Sequence, residues 1–176
     1  LNRDTHLYHL YARMCSGHLQ GRILAMLTHM IQPKRVLELG TFTGYSALCF
    51  AEGMPDDAHL HTIEIDDESE EFILQRFESS PYADRLHLHI GDALEIIPTI
   101  EGDFDLVFID ANKRNYIDYY EMVLPRVSKG GFILADNTLW DGKVVGPQSK
   151  QDAQTRGILD FNSHVANDSR VEKVIL

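Results

Sequence analysis

Residues Arg35 to Ser46 read RVLELGTFTGYS, and this segment indicates the architecture of the whole chain. It begins as a short apolar run, which is typical of a buried parallel strand. It then passes through Gly40 and Gly44 into a segment with helical character. Glycines at such a turn let the backbone come close to a ligand. A strand, a glycine turn and a helix in this order predict the start of a βαβ unit.

The same alternation continues along the chain in both directions. Strand-like runs lie at 35–39, 59–65, 85–90, 104–109, 131–135 and 171–176. Helix-like segments lie at 45–51, 68–78, 93–97, 116–127 and 155–166, and two amphipathic helices at 7–14 and 19–30 precede the first strand. This pattern predicts a doubly wound α/β fold with a mainly parallel sheet and helices on both faces. We expect one domain over 1–176, with N-terminal helices at 1–32 and an α/β core at 33–176.

Composition excludes several classes of protein. The chain has 176 residues and a formal net charge of −11, which disfavours a nucleic-acid binder because affinity for phosphates comes largely from Lys and Arg. No apolar run approaches the ~20 residues that span a bilayer, and the N-terminus does not resemble a signal peptide. Cys15 and Cys49 are too few for a disulfide framework, so we expect a cytoplasmic protein.

Acidic side chains close most of the predicted strands, where ligands bind in such sheets. A dinucleotide site would place further glycines where Phe42 and Tyr45 stand, so a phosphate-bearing cofactor is disfavoured. S-adenosylmethionine carries no phosphate. Glu64 could bind its ribose hydroxyls, Glu38 could assist its ammonium group, and its adenine would lie near the end of the third strand. Each acid alone could simply cap a helix or end a strand, but their recurrence favours a cofactor site.

A second group of residues predicts a metal site. Asp110 ends the fourth strand, and Asp136 and Asn137 end the fifth. Two carboxylates and an amide oxygen suit Mg²⁺, with Mn²⁺ or Ca²⁺ as alternatives, rather than zinc. Lys113 could be a general base, a charge that stabilises a phenolate, or only a solvated lysine at a helix start. Trp140 could form an aromatic wall for a flat substrate.

Other polar and aromatic residues are interpreted as structural. Three tyrosines at helical spacing after the lysine are expected mainly to pack: Tyr116, Tyr119 and Tyr120. Four histidines alternate on two predicted strands and are interpreted as polar strand positions: His59, His61, His87 and His89. No Cys–His set has the spacing of a zinc site.

These residues together resemble the cation-dependent O-methyltransferase family, which includes caffeoyl-CoA and catechol O-methyltransferases, and we expect a bacterial member. The segments that carry the resemblance are 38–46, 63–66, 91–93, 104–105 with 110–113, and 136–140. The resemblance implies a Rossmann-like S-adenosylmethionine-dependent methyltransferase fold, a homodimer and acceptors with vicinal aromatic hydroxyls. It implies catalysis by Lys113 and Asp110, and metal ligation by Asp110, Asp136 and Asn137. It implies cofactor contacts from Ser16, Glu38, Gly40, Thr41, Ser46, Glu64, Asp92, Ala93 and Asp110.

The sequence also departs from the family pattern and leaves alternatives open. Asn112 stands where plant members have a second Asp, and the final antiparallel strand of the family is not expected in this chain. The leading prediction is methylation of a small catechol-like acceptor. The alternatives are methylation of a hydroxylated uridine in tRNA, a degenerate module that binds cofactor without chemistry and, more distantly, an NAD-dependent dehydrogenase.

Overall fold

A five-stranded parallel sheet forms the centre of the molecule. The computed structural model describes Thr5, Leu7 and residues 12–146 and 152–176. The strands are β1 Arg35–Leu39, β2 His59–Glu64, β3 Leu86–Ile90, β4 Phe104–Ile109 and β5 Val127–Ala135. Their order is β3-β2-β1-β4-β5, with every pair parallel. The predicted α/β fold with a parallel sheet is confirmed.

Helices cover both faces of this sheet. They are α1 His18–Ile31, α2 Tyr45–Gly53, α3 Glu70–Glu78, α4 Ala93–Ile96, α5 Tyr116–Val123 and α6 Ala153–Ala166. Successive side chains of a strand point to opposite faces, so Leu37 and Leu39 join one apolar cluster while Val36 joins the other. Among the described residues, no helix is both long and apolar enough to cross a membrane.

Element boundaries agree with the sequence except at three places. The predicted helix at 116–127 ends at Val123 because Pro125 lacks the N–H that a longer helix would use, and β5 begins earlier than expected, at Val127. The strand predicted at 171–176 is wrong. Its residues pair with no strand in the described part of the chain, and an apolar run without a ladder partner does not form a strand. Most of the helix predicted at 7–14 lies outside the described residues, and Ala12–Met14 forms a 3₁₀ turn.

One glycine fixes where the first turn lies. Gly40 has a φ of +96°, which favours glycine, and a Cβ at this position would lie 2.3 Å from the carbonyl oxygen of Asp110. The turn after β1 therefore packs directly against the end of β4. This contact joins the two groups of residues that the sequence proposed for cofactor and metal.

Candidate active site

Asp110 and Asp136 are neighbours because the ladder of the sheet continues one residue beyond the strands. The amide of Asp110 donates to the carbonyl of Leu39 at 2.9 Å, and the amide of Asp136 donates to the carbonyl of Ile109 at 3.0 Å. The carboxyl ends of β1, β4 and β5 are thus aligned. Two acidic side chains from different parts of the sequence lie at one edge of the sheet.

Lys113 is held in this acidic cluster by two hydrogen bonds. Its Nζ donates to Asp110 Oδ1 at 2.6 Å and to the hydroxyl of Tyr116 at 2.7 Å. The lysine side chain is only 8% exposed. Helix α6 helps to bury it, since a Cβ on Gly157 would lie 2.4 Å from the carbonyl oxygen of Lys113. The lysine is therefore a fixed, buried group rather than a solvated one.

Tyr116 belongs to the site, although the sequence indicated mainly packing. Its ring is fully buried, and its hydroxyl lies 3.1 Å from the carbonyl oxygens of both Ile109 and Asp136. It accepts from Lys113 and can donate to either carbonyl, so it links the lysine to the ends of β4 and β5. The available signal was its position three residues after Lys113, which places both on one helical face.

Asp136 is oriented by groups on both sides. Its Oδ2 accepts from Gln20 Nε2 at 2.8 Å, and its Oδ1 accepts from the backbone amide of Asn137 at 2.7 Å. Asn137 has a φ of +60°, a conformation that Asn tolerates better than most residues. Sequence reasoning missed Gln20, because it lies 116 residues away on α1 and only the tertiary structure brings it here.

The charge balance of the cluster is incomplete. Burial raises the pKa of Asp110 to about 6, and the negative charge of Asp136 acts in the same direction, while Lys113 opposes the shift. Lys113 therefore does not fully offset the effect of burial on Asp110. An additional cation would favour the ionised form of this carboxylate.

Trp140 also lies near Lys113. Lys113 Nζ is 5.9 Å from the centre of its ring and 4.9 Å from that of Tyr116. The tryptophan backbone has a φ of +45°, which is uncommon for a bulky residue. Its indole Nε1 is buried and has no hydrogen-bond partner among the described residues.

Glu38 is the most deeply buried acid of the cofactor group. Its side chain has no exposed surface, and Oε2 accepts from the hydroxyl of Thr62 at 2.5 Å, which in turn lies 2.5 Å from that of Thr41. Burial raises its pKa to about 8, with smaller contributions from Asp110 and Glu64. Oε1 is buried without a hydrogen-bond partner in the described part of the chain. This oxygen can therefore accept a hydrogen bond from a bound ligand.

Glu64 is held by backbone amides at the turn after β1. Oε2 accepts from the amide of Phe42 at 2.6 Å, and Oε1 accepts from the amide of Asp66 at 3.0 Å. Phe42 has a φ of +52°, so the turn that carries it is shaped to present this amide. The carboxylate is positioned next to the glycine turn, as a ribose-binding acid would be.

The remaining predicted cofactor residues lie around this turn or at the end of β3. Ser16 is buried just before α1, and Ser46 is buried in the first turn of α2. Asp92 is exposed and caps α4 by accepting from the amide of Leu94 at 2.8 Å. Ala93 is buried beside it. Apart from Ser16, these residues directly follow strands of the sheet or lie at the start of the helices after them.

Solved structures define the class of protein to which this fold belongs. A Podospora anserina methyltransferase with bound S-adenosylhomocysteine (SAH) is 30% identical with a TM-score of 0.92, covering 99% of this chain and 80% of that one. An O-methyltransferase from Streptomyces achromogenes involved in tomaymycin synthesis, solved with S-adenosylmethionine (SAM), is 31% identical with a TM-score of 0.89. That match covers 96% of this chain and 77% of the other. The chain is a SAM-dependent methyltransferase.

The family follows from the sequence comparisons. The O-methyltransferase family model matches residues 1–176. Caffeoyl-CoA O-methyltransferase 1 of Eucalyptus globulus is 34% identical over 187 residues, covering 99% of this chain and 75% of the relative. Caffeoyl-CoA O-methyltransferase 1 of Nicotiana tabacum is 34% identical over 184 residues, covering 97% and 76%. The chain belongs to this O-methyltransferase family, and the predicted resemblance is confirmed.

Proposed function

We propose that this O-methyltransferase uses a divalent cation to transfer the methyl group of SAM to a hydroxyl of a small, catechol-like aromatic acceptor. The observation that carries the proposal is the cluster in which the buried Lys113 lies against the partly buried Asp110, while Asp136 follows the neighbouring strand. An acidic, oxygen-rich site with a fixed lysine beside it suits the deprotonation of a hydroxyl. The names of the relatives support the transfer to oxygen.

The donor set fits a hard divalent cation. Asp110, Asp136 and Asn137 would hold it, and their oxygens are the ligands that Mg²⁺ prefers, with Mn²⁺ or Ca²⁺ as alternatives. The raised pKa of Asp110 supports this assignment, because a bound cation would favour the ionised carboxylate that burial disfavours. When bound, the cation supplies a Lewis acid that makes an acceptor hydroxyl easier to deprotonate.

The cofactor residues fit SAM by their chemistry. The partnerless Oε1 of Glu38 offers an acceptor to an ammonium group, and its raised pKa is what a positively charged ligand would reverse. Glu64, held by two backbone amides, can accept from ribose hydroxyls. The full proposed set is Ser16, Glu38, Gly40, Thr41, Ser46, Glu64, Asp92, Ala93 and Asp110.

Lys113 is the proposed catalytic residue for the acceptor, together with Asp110. Its Nζ is fixed by Asp110 and Tyr116, so it can either receive the hydroxyl proton or stabilise the oxyanion once the proton has left. Trp140 lies close to the same ammonium group and would form an aromatic wall for the acceptor ring. Loss of the acceptor proton leaves an oxygen that attacks the sulfonium methyl, and the sulfur keeps the electrons of the broken bond.

We also propose a homodimer through α1. Leu19, Ile23, Met26 and Met30 form an exposed apolar stripe at helical spacing, while Gly21 on the opposite side packs closely against Cys49. A second copy of the same stripe would bury it. Light scattering should give a dimer for the wild type and a monomer for M26E, and a monomeric wild type would contradict the proposal.

Methyl transfer from labelled SAM tests the function directly. Catechols, caffeoyl-CoA and bulk tRNA are offered separately, each with Mg²⁺ and with a chelator. Turnover of small catechols that the chelator abolishes is the expected result. Turnover that is insensitive to the chelator contradicts the metal role, preferential labelling of caffeoyl-CoA or tRNA contradicts the proposed acceptor, and cofactor binding without any turnover favours a binding module.

A further inference from the structure

Four histidines form a continuous ladder on one face of the sheet, away from the acidic cluster. His59 Nδ1 lies 2.9 Å from His87 Nε2, and His61 Nδ1 lies 3.1 Å from His89 Nε2. Neighbouring rings are stacked in the order 59, 87, 61, 89, with centroids 5.1, 4.9 and 5.3 Å apart. The sequence predicted that the two histidines of each strand share a face. The structure shows in addition that the rings of the two strands alternate along the ladder.

The register of the two strands produces this arrangement. His61 lies directly opposite His87 in the parallel pair of β2 and β3, and β3 is at the edge of the sheet. Alternate residues share a face, so all four imidazoles point the same way. His59 is exposed and the other three are partly buried, which leaves the ladder accessible from solvent.

The environment keeps the inner rings neutral. Burial lowers the pKa of His61 to about 4, with the neighbouring His87 and Arg35 acting in the same direction. Burial also lowers the pKa values of His87 and His89. Neutral imidazole is the form that binds metal ions, so at neutral pH a cation needs only a tautomer shift, in which the ring proton that each pair shares moves to the other nitrogen of its own ring.

Each pair is joined by a hydrogen bond between ring nitrogens, and the same nitrogen–nitrogen distance also fits one coordination geometry. With a metal–nitrogen distance of about 2.1 Å, two ligands at right angles lie about 3.0 Å apart, whereas tetrahedral ligands lie about 3.4 Å apart. Right-angled nitrogen ligands are typical of Ni²⁺ and Cu²⁺. We propose that the ladder of His59, His61, His87 and His89 is a second, nitrogen-donor metal site, in which one His–His pair chelates a Ni²⁺- or Cu²⁺-class ion.

One ion at a time is expected. The pairs are separated by the ring spacing of the ladder, about 5 Å, and two dications at that distance repel strongly. This site is independent of the proposed methyl-transfer cation, because imidazole nitrogens select transition ions while the carboxylates of Asp110 and Asp136 select hard ions such as Mg²⁺.

Another group of candidate ligands has a different explanation. Glu121, His164 and Asp168 place one ligand atom each within 4.8 Å of one another. Arg170 already lies between the two carboxylates, with its Nη2 2.6 Å from Glu121 and 2.7 Å from Asp168. This cluster is an ion-pair network that ties the end of the chain to α5, and its cation is the arginine.

Equilibrium dialysis with Ni²⁺ tests the proposal on the full chain, free of any histidine tag and with excess Mg²⁺ present. The variant is H87Q/H89Q, which removes one member of each pair. The matched control is H18Q/H29Q, which removes two exposed histidines of α1. Circular dichroism and methyl transfer check that both variants fold.

The wild type and H18Q/H29Q should bind one Ni²⁺ per chain, and H87Q/H89Q should lose that ion. Retained binding in H87Q/H89Q, or no binding to the wild type, overturns the proposal. Should H87Q/H89Q fail to fold, Ni-edge anomalous scattering from soaked wild-type crystals decides. A peak beside a His–His pair supports the site, and a peak elsewhere or no peak overturns it.

Discussion

The acidic cluster at the ends of β4 and β5 and the histidine ladder on β2 and β3 show two ways of placing ionisable groups in one sheet. In the cluster, burial raises the pKa of Asp110 to about 6. In the ladder, burial lowers the pKa of His61 to about 4. Desolvation disfavours the charged form in both regions, so acids and bases shift in opposite directions.

The two regions differ in what compensates for burial. Asp110 and Asp136 receive donors from elsewhere in the chain, namely Lys113 and Gln20. The histidines satisfy one another, each pair sharing one ring-nitrogen contact. The cluster therefore retains charge and suits catalysis with a hard cation, while the ladder becomes neutral.

Replacing Asp136 should have the largest effect. D136A removes a proposed metal ligand and leaves the amide of Gln20 without its acceptor. We expect kcat for catechol methylation to fall by about 10³-fold or more, and Mg²⁺ to lose its stimulating effect. Steady-state kinetics over a Mg²⁺ titration measures this. D84N changes an exposed acid in the 3₁₀ turn before β3 and should leave the Mg²⁺ titration unchanged; full activity in D136A would refute the metal role.

Glu38 should make the unliganded protein less stable as pH rises. Its folded pKa is about 8 against a usual 4.5, so between these values the folded state holds a proton that the unfolded state has released. Stability therefore declines through this window, and the cost, about 3–5 kcal/mol, is complete above pH 8.

E38Q keeps a neutral side chain of the same shape and should remove this decline. Denaturant unfolding at pH 5 to 8.5 measures the difference, which should grow with pH. E52Q is the control, because Arg22 lowers the pKa of Glu52, so its titration lies below this range. Parallel curves for the wild type and E38Q would show that Glu38 does not carry the shifted proton.

Tyr116 should matter for both stability and rate. Y116F removes the hydroxyl that accepts from Lys113, which we expect to lower the free energy of unfolding by about 1–3 kcal/mol and to reduce kcat. The matched control is Y120F on the same helix, whose buried hydroxyl donates to Asp168 at 2.8 Å. Y120F should lose similar stability with kcat unchanged, and equal kcat values for Y116F and the wild type would contradict a positioning role.

The histidine ladder should destabilise the protein in mild acid. His61 has a folded pKa of about 4 against 6.5, so below pH 6.5 the unfolded state binds a proton that the folded state does not. Stability is then lost as pH falls from 6.5 to 4, by about 1 kcal/mol for this partly exposed ring. H61F should flatten that part of the curve in thermal unfolding scans. A slope that H61F leaves intact would assign the acid sensitivity to other groups.

Much of the fold and the list of candidate residues followed from local patterns. Three features depend on neighbouring residues only and can be predicted from a single sequence. They are the apolar run at β1, the glycine turn after it and the repeated alternation of strands and helices. The strand predicted at 171–176 shows the limit of this reasoning, because a strand needs a partner and composition does not supply one.

The chemistry of the site could be read from the sequence: carboxylates at the ends of parallel strands, a lysine after the fourth strand, and alternating histidines on two strands. Which of these groups come into contact follows from the folded structure. Gln20 reaches Asp136, Tyr116 holds Lys113, and β2 and β3 interleave their histidines. Such contacts depend on strand register and helix packing between distant segments. Burial at these contacts, which residue type does not predict, shifts the pKa values of the acids and histidines.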